Sequence, residues 1–214
     1  MTRAGRRTLL ASAGSNVVLH AAGLVFAATL MRPGSPLAPL DERLHYLATQ
    51  RLAWALGWAV WMLCALSLVW FLATVAAHAT DPAASSAAVA LAAAGAGVDL
   101  FCDVVQALVL PPLAAAGPAH RVVFLAFERA AGAGGLVAAN GLYSLAVLLM
   151  ALSLRDRLPA LAFGLGVATF LSGILMAAAG WSADLRLLQA ATVATIASFL
   201  VWVAVVTWGL LRRA

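Results

Sequence analysis

Residues 51–77 read RLAWALGWAVWMLCALSLVWFLATVAA, an apolar run with no charge after Arg51. A helix needs about 20 mostly apolar residues to cross the hydrocarbon core of a bilayer, and this run exceeds that length. Outward from it, five more such stretches are separated by short polar breaks. The expected spans lie near 8–31, 51–77, 85–115, 122–154, 159–180 and 187–211. Composition agrees: of 214 residues, 64% are hydrophobic and 10% charged, against roughly half and a quarter in a soluble domain, and mean hydropathy is +1.00. The expectation is an all-α polytopic membrane protein, a six-transmembrane-helix bundle forming one transmembrane domain over 1–214. The third and fourth stretches are longer than a span requires and are expected to tilt, kink or project beyond the bilayer. Pro111-Pro112 should break or bend the third near one end.

Composition also removes chemistries. All 13 basic residues are Arg, so there is no lysine for a Schiff base or a Walker-A loop. The two cysteines, Cys64 and Cys102, form no CxxC pair; they fall at similar depths in adjacent spans and read as unlinked small apolar residues, with a bridge as the alternative. A net charge of +5 and a pI of 10.6 would suggest nucleic acid in a soluble domain. Here the arginines lie between apolar runs and act as topology signals, so no nucleic-acid partner is expected. With the N-terminus inside, Arg3, Arg6, Arg7, Arg155, Arg157, Arg212 and Arg213 fall on the cytoplasmic side, and Arg32, Arg43, Arg51, Arg121 and Arg186 on the other. The bias predicts a multi-pass protein of the cell inner membrane with both termini cytoplasmic. Gly5-Arg6-Arg7-Thr8-Leu9-Leu10 also has the form of a twin-arginine export signal. Asn16 and His20 interrupt the apolar core such a signal needs, and the segment reads instead as a retained first helix.

The longest loop is 32–50. After the turn-rich Arg32-Pro33-Gly34-Ser35-Pro36, Asp41 and Glu42 follow Pro39 as in a helix first turn, and Leu40, Leu44 and Leu47 recur at helical spacing. A short interfacial helix running into the second span is expected. It is either a lid over an outward-facing cavity or a cap on the lipid surface. Trp54, Trp58 and Trp61 then lie near the outer end of the second span, where interfacial tryptophans belong.

An ionisable side chain in hydrocarbon costs roughly 2.5–3.5 kcal/mol on insertion scales, so the few polar residues within the spans are the candidate site. Span one carries Asn16 and His20; span three carries Asp99, Asp103 and Gln106; span four carries Glu128, Arg129 and Asn140. At about 100° per residue, Asp99, Asp103 and Gln106 fall within a sector of about 60°. Glu128 shares its face with Gly132, Gly135 and Ala139, small residues that admit a close neighbour, while Arg129, Asn140 and Tyr143 form a second band. The expected arrangement is a polar pocket lined by spans one, three and four.

Three readings of this cluster stay open. In a structural one, Arg129 pairs with Asp103 or Glu128, and His20 with Asp99. In a second, the cluster binds or transports a small molecule or ion: Asp99 is the protonatable centre, Glu128 and Arg129 a gating pair, and Asn16, Asn140 and Tyr143 orient. In a third, His20, Asp99, Asp103 and Glu128 ligate a divalent metal for intramembrane lipid hydrolysis. That ligand set is too hard for zinc, and the several intramembrane histidines of alkaline ceramidases are lacking, because His45, His78 and His120 sit at loops or span ends. There is no GxSxG elbow.

The plan of a basic N-terminus, one long first loop, and Leu158-Pro159-Ala160-Leu161 opening span five after Arg155-Asp156-Arg157 resembles that of a broad set of uncharacterised bacterial six-helix integral membrane proteins. The resemblance covers layout and implies a fold; it brings no activity, cofactor or site residue. The Lys-free, Ala- and Arg-rich composition suggests a high-GC bacterium. The functional expectation is therefore a transporter-like or sensor-like protein using His20, Asp99, Asp103, Gln106, Glu128, Arg129 and Asn140, with no resident cofactor. Its expected partners are the bilayer, a small ligand and, through spans five and six, a second copy or a larger membrane protein.

Overall fold

The structure, a computed structural model, describes residues 1–182 and 184–213. Its helices are α1 (Arg3–Ala28), α2 (Leu40–Thr49), α3 (Arg51–Ala76), α4 (Pro82–Val104), α5 (Leu110–Ala115), α6 (Arg121–Gly132), α7 (Asn140–Leu154), α8 (Ala160–Ser182) and α9 (Leu185–Arg212). Among the described residues, six helical rods are long and apolar enough to cross a membrane: α1, α3, α4 continued by α5, α6 continued by α7, α8 and α9. The chain is an all-α, multi-pass integral membrane protein.

Local chemistry sets several boundaries. Thr2 Oγ1 accepts the Gly5 N–H at 3.1 Å, so α1 starts ahead of its apolar stretch and carries Arg3, Arg6 and Arg7 on its first turns. Asp81 accepts the N–H groups of Ala83 and Ala84, each at 3.0 Å, with Pro82 at the first helical position, where its missing N–H costs nothing. Asp184 accepts from Arg186 and Leu187 at 3.1 and 3.0 Å and starts α9 the same way.

Each span packs against its neighbours in sequence, and α9 returns to α1, closing a ring α1–α3–α4–α7–α8–α9. At the end that carries both termini the ring is filled by apolar side chains, among them Leu9, Phe71, Leu72, Met150, Trp202 and Val206, all fully buried. Close approach of α7 and α8 depends on Gly166. A Cβ there would stand 2.4 Å from that of Ala151, inside any van der Waals contact.

The two over-long spans each contain a π-helical segment. In span three, Val105–Val109 is a π turn, where the Leu110 N–H reaches back to the Val105 carbonyl, five residues rather than four. Residues 111 and 112 are prolines with no N–H to give. The buried Gln106 carbonyl thus loses its helical donor, and the indole Nε1–H of Trp54 replaces it at 2.7 Å. Pro111-Pro112 therefore widens the helix by one residue without ending it. In span four, Ala133–Ala139 is π-helical within a run containing Gly132, Gly134 and Gly135, and the Asn140 side-chain amide donates to the Gly135 carbonyl at 2.8 Å.

At the end opposite the termini, α2 lies over α1, α3, α5 and α6. Its Leu47 is fully buried with Met31, Trp54, Leu110 and Phe124. The apolar stripe of this helix faces protein. Three polar ties hold it. The Tyr46 hydroxyl donates to the Leu30 carbonyl just beyond α1, and burial lifts the Tyr46 pKa above its ordinary value. Arg121 pairs with Asp41 at the exposed rim. Arg43 pairs with Glu128 of α6 at 3.3 Å, with both side chains about nine-tenths buried.

Candidate intramembrane carboxylate site

Asp99 and Asp103 stand one helical turn apart on α4 and face the span-four rod, where its π segment passes into α7. The Asp99 carboxylate accepts a hydrogen bond from the Tyr143 hydroxyl at 3.2 Å. Two glycines make that contact possible. Gly95, one turn before Asp99, leaves room for the phenol ring: a Cβ there would lie 2.9 Å from Tyr143 Cε1. Gly135 of the π segment brings backbone against the acid, since its own Cβ would lie 3.3 Å from Asp99 Oδ1. Beside it, Gly134 packs on Cys102, whose Sγ would be 2.4 Å from an added Cβ. The absence of side chains on one strip of span four thus lets the Asp99 carboxylate and Cys102 approach its backbone.

Asp103 is 2% exposed, and its Oδ2 has no hydrogen-bond partner. Among the described residues neither carboxylate has an ion-pair partner; the pairs formed are Arg43–Glu128, Arg121–Asp41 and Arg155–Asp156. An uncompensated buried carboxylate is costly, and Asp103 is one, with the half-buried Asp99 on the same helix face. Cys64 on α3 and Cys102 on α4 are buried and unlinked. Gln106 lies one turn beyond Asp103, also buried.

The remaining sequence candidates go elsewhere. His20 does not meet Asp99: its Nδ1 lies 2.9 Å from the Asn16 carbonyl oxygen, and its ring packs against Phe199 of α9, centroids 5.3 Å apart. Asn16 donates to Ser67 of α3 at 3.2 Å. These two residues occupy the α1–α3–α9 corner. Arg129 is exposed and forms no ion pair among the described residues, because the partner of Glu128 is Arg43. Asn140 holds the π segment and does not bond either carboxylate. Among the described residues no three His, Cys, Asp or Glu side chains gather closely enough to hold a metal ion.

Sequence reasoning missed Arg43, which it counted as a loop charge. Its position was a signal: residues 40, 43, 44 and 47 share one helical face, so an arginine stands in the leucine stripe of α2. Trp54 was read as a belt residue, and its bond to the Gln106 carbonyl follows only once the π turn is known. Comparisons with protein-family models, with curated proteins and with solved structures find no match.

Proposed function

We propose that this membrane protein binds and moves a small cation, in exchange for protons, at the Asp99–Asp103 pair. The observation that carries the reading is Asp103: a carboxylate within a membrane span, 2% exposed, with one oxygen unpartnered and no arginine paired to it. Such a group is stable only with a proton or a cation in place, and exchange between the two is the elementary step of proton-coupled binding. Asp99, oriented by Tyr143, supplies the second carboxylate. The flanking π segments support the reading, since π-bulges cluster at functional sites. In this scheme α2, latched by Arg43–Glu128, is the gate on the side opposite the termini.

The test is proton release from acid-loaded proteoliposomes carrying a pH-sensitive dye, challenged outside with Na⁺, K⁺ and a small alkylamine in turn. One of these is expected to drive proton efflux from the wild type. Asp99→Asn and Asp103→Asn should abolish it while keeping folded yield and melting temperature. Equal loss of folded yield in both variants, or no cation-driven efflux from a well-folded wild type, would refute the reading and leave the carboxylates a structural role.

A further inference from the structure

At the end of the bundle that bears both termini, the outer surface carries a groove of about 540 Å³ between the start of α8 and the last turns of α9, within the range of about 300–1,000 Å³ usual for small-ligand sites. Pro159, Leu161, Ala204, Val205, Trp208 and Gly209 make its apolar walls, and Arg212 and Arg213 stand at its mouth. Leu161 and Trp208 are 61% and 59% exposed, so the walls face lipid. Arg212 lies over the Trp208 ring, 4.6 Å from its centroid, which fixes the guanidinium above the apolar floor. A second groove beside it, lined by Met1, His78, Arg157, Leu210 and Arg213, extends the basic rim.

Among the described residues no carboxylate lines either groove. The acids at this end are otherwise engaged, Asp81 as the cap of α4 and Asp156 with Arg155 at 3.7 Å. Arg157, Arg212 and Arg213 have no ion-pair partner among the described residues. An apolar trough roofed by uncompensated guanidiniums at the level of an interfacial tryptophan is complementary to one chemistry, a long acyl chain ending in a phosphate. We propose that this groove binds an anionic phospholipid, its phosphate on Arg212 and Arg213 and one acyl chain along Leu161, Ala204 and Val205.

The test is native mass spectrometry of the full chain in detergent with equal concentrations of phosphatidylglycerol and phosphatidylcholine. Each surface arginine is worth about fivefold in affinity for anionic lipid, so the two together predict a preference of about thirtyfold. Arg212→Gln/Arg213→Gln should remove most of it. Ala204→Trp, which fills the exposed trough and leaves the charge, should displace the retained lipid. Arg6→Gln/Arg7→Gln, which takes the same charge from the same end, should change retention less than twofold. Equal loss in the two double variants would mean diffuse attraction to a basic surface, and full retention in Ala204→Trp would mean the groove is not the site; either overturns the proposal, as does equal retention of the two lipids by the wild type. Competition by inorganic phosphate at millimolar concentration would point to a headgroup-only contact and overturn it too.

Discussion

Removing Arg43 while leaving Glu128 should be among the most damaging single changes outside the apolar core. The two side chains are 3.3 Å apart and 9% and 11% exposed. At that separation Coulomb attraction is about 5 kcal/mol with an effective dielectric constant of about 20. Taking the two ions from water costs several kcal/mol each, and Arg43 Nε is buried without a partner, so the net value of the pair is far below its attraction. The two quantities predict different experiments. Arg43→Met strands the carboxylate and should cost about 3–5 kcal/mol, whereas Arg43→Met/Glu128→Leu should return to within about 2 kcal/mol of the wild type. Arg121→Gln, at the exposed rim pair, should cost less than about 1 kcal/mol. Steric trapping in bicelles measures all three. A cost below about 1 kcal/mol for Arg43→Met, or equal costs for the single and double variants, would show that the latch is not a desolvated pair and refute the reasoning.

Other outcomes follow from single contacts. Trp54→Phe keeps a ring but orphans the buried Gln106 carbonyl, and should cost about 1–3 kcal/mol in the same unfolding measurement. Gly166→Ala drives a Cβ to 2.4 Å from Ala151 and should cost about 1–3 kcal/mol, while Gly164→Ala, which meets nothing within 4 Å, should be neutral or slightly stabilising; equal effects would refute the close α7–α8 approach. His78 has its pKa pulled below 6.5 by burial first, then by Arg157 and the N-terminus. The unfolded chain therefore binds more protons here than the folded one, so this residue's contribution is present above pH 6.5 and is lost as pH falls through that value toward the lowered folded pKa. Thermal unfolding as a function of pH should be flatter on the acidic side in His78→Gln than in the wild type.

Apolar length and polar breaks were enough to read the six spans, because the bilayer imposes a length on every crossing segment and admits almost nothing else. The carboxylate stripe was legible for the same reason: Asp99, Asp103 and Gln106 lie on one rod, and helical periodicity places residues on a rod. Periodicity does not say which rod faces which. His20 and Asp99 were natural partners on paper, yet the ring order sets His20 against α9 and Asp99 against α7. Glu128 found its counter-ion 85 residues away in sequence, on a helix whose docking no spacing rule contains. The excess length of spans three and four announced an irregularity. The glycines of 132–135 read only as small residues that admit a close neighbour, whereas Pro111-Pro112 located the one in span three. Its form, a π turn whose freed carbonyl is taken up by Trp54, required the tertiary structure.

The ring order also sets a sequence of events during synthesis. Each closely packed pair of spans around the ring joins segments that are consecutive in the chain, except the closing pair α1 and α9, and across the ring Phe71 of α3 meets Trp202 of α9. A nascent chain can therefore pair each new helix with the one already in the bilayer, and five of the six spans can assemble as they emerge. The exception falls where α1 is most polar, because the side chain that lies against His20 is Phe199 of the sixth span. Until that span is inserted, the histidine is left facing lipid or whatever escorts the growing protein. Ribosome stalling ahead of residue 185 would thus yield an intermediate recognisable to membrane quality control by one uncovered imidazole.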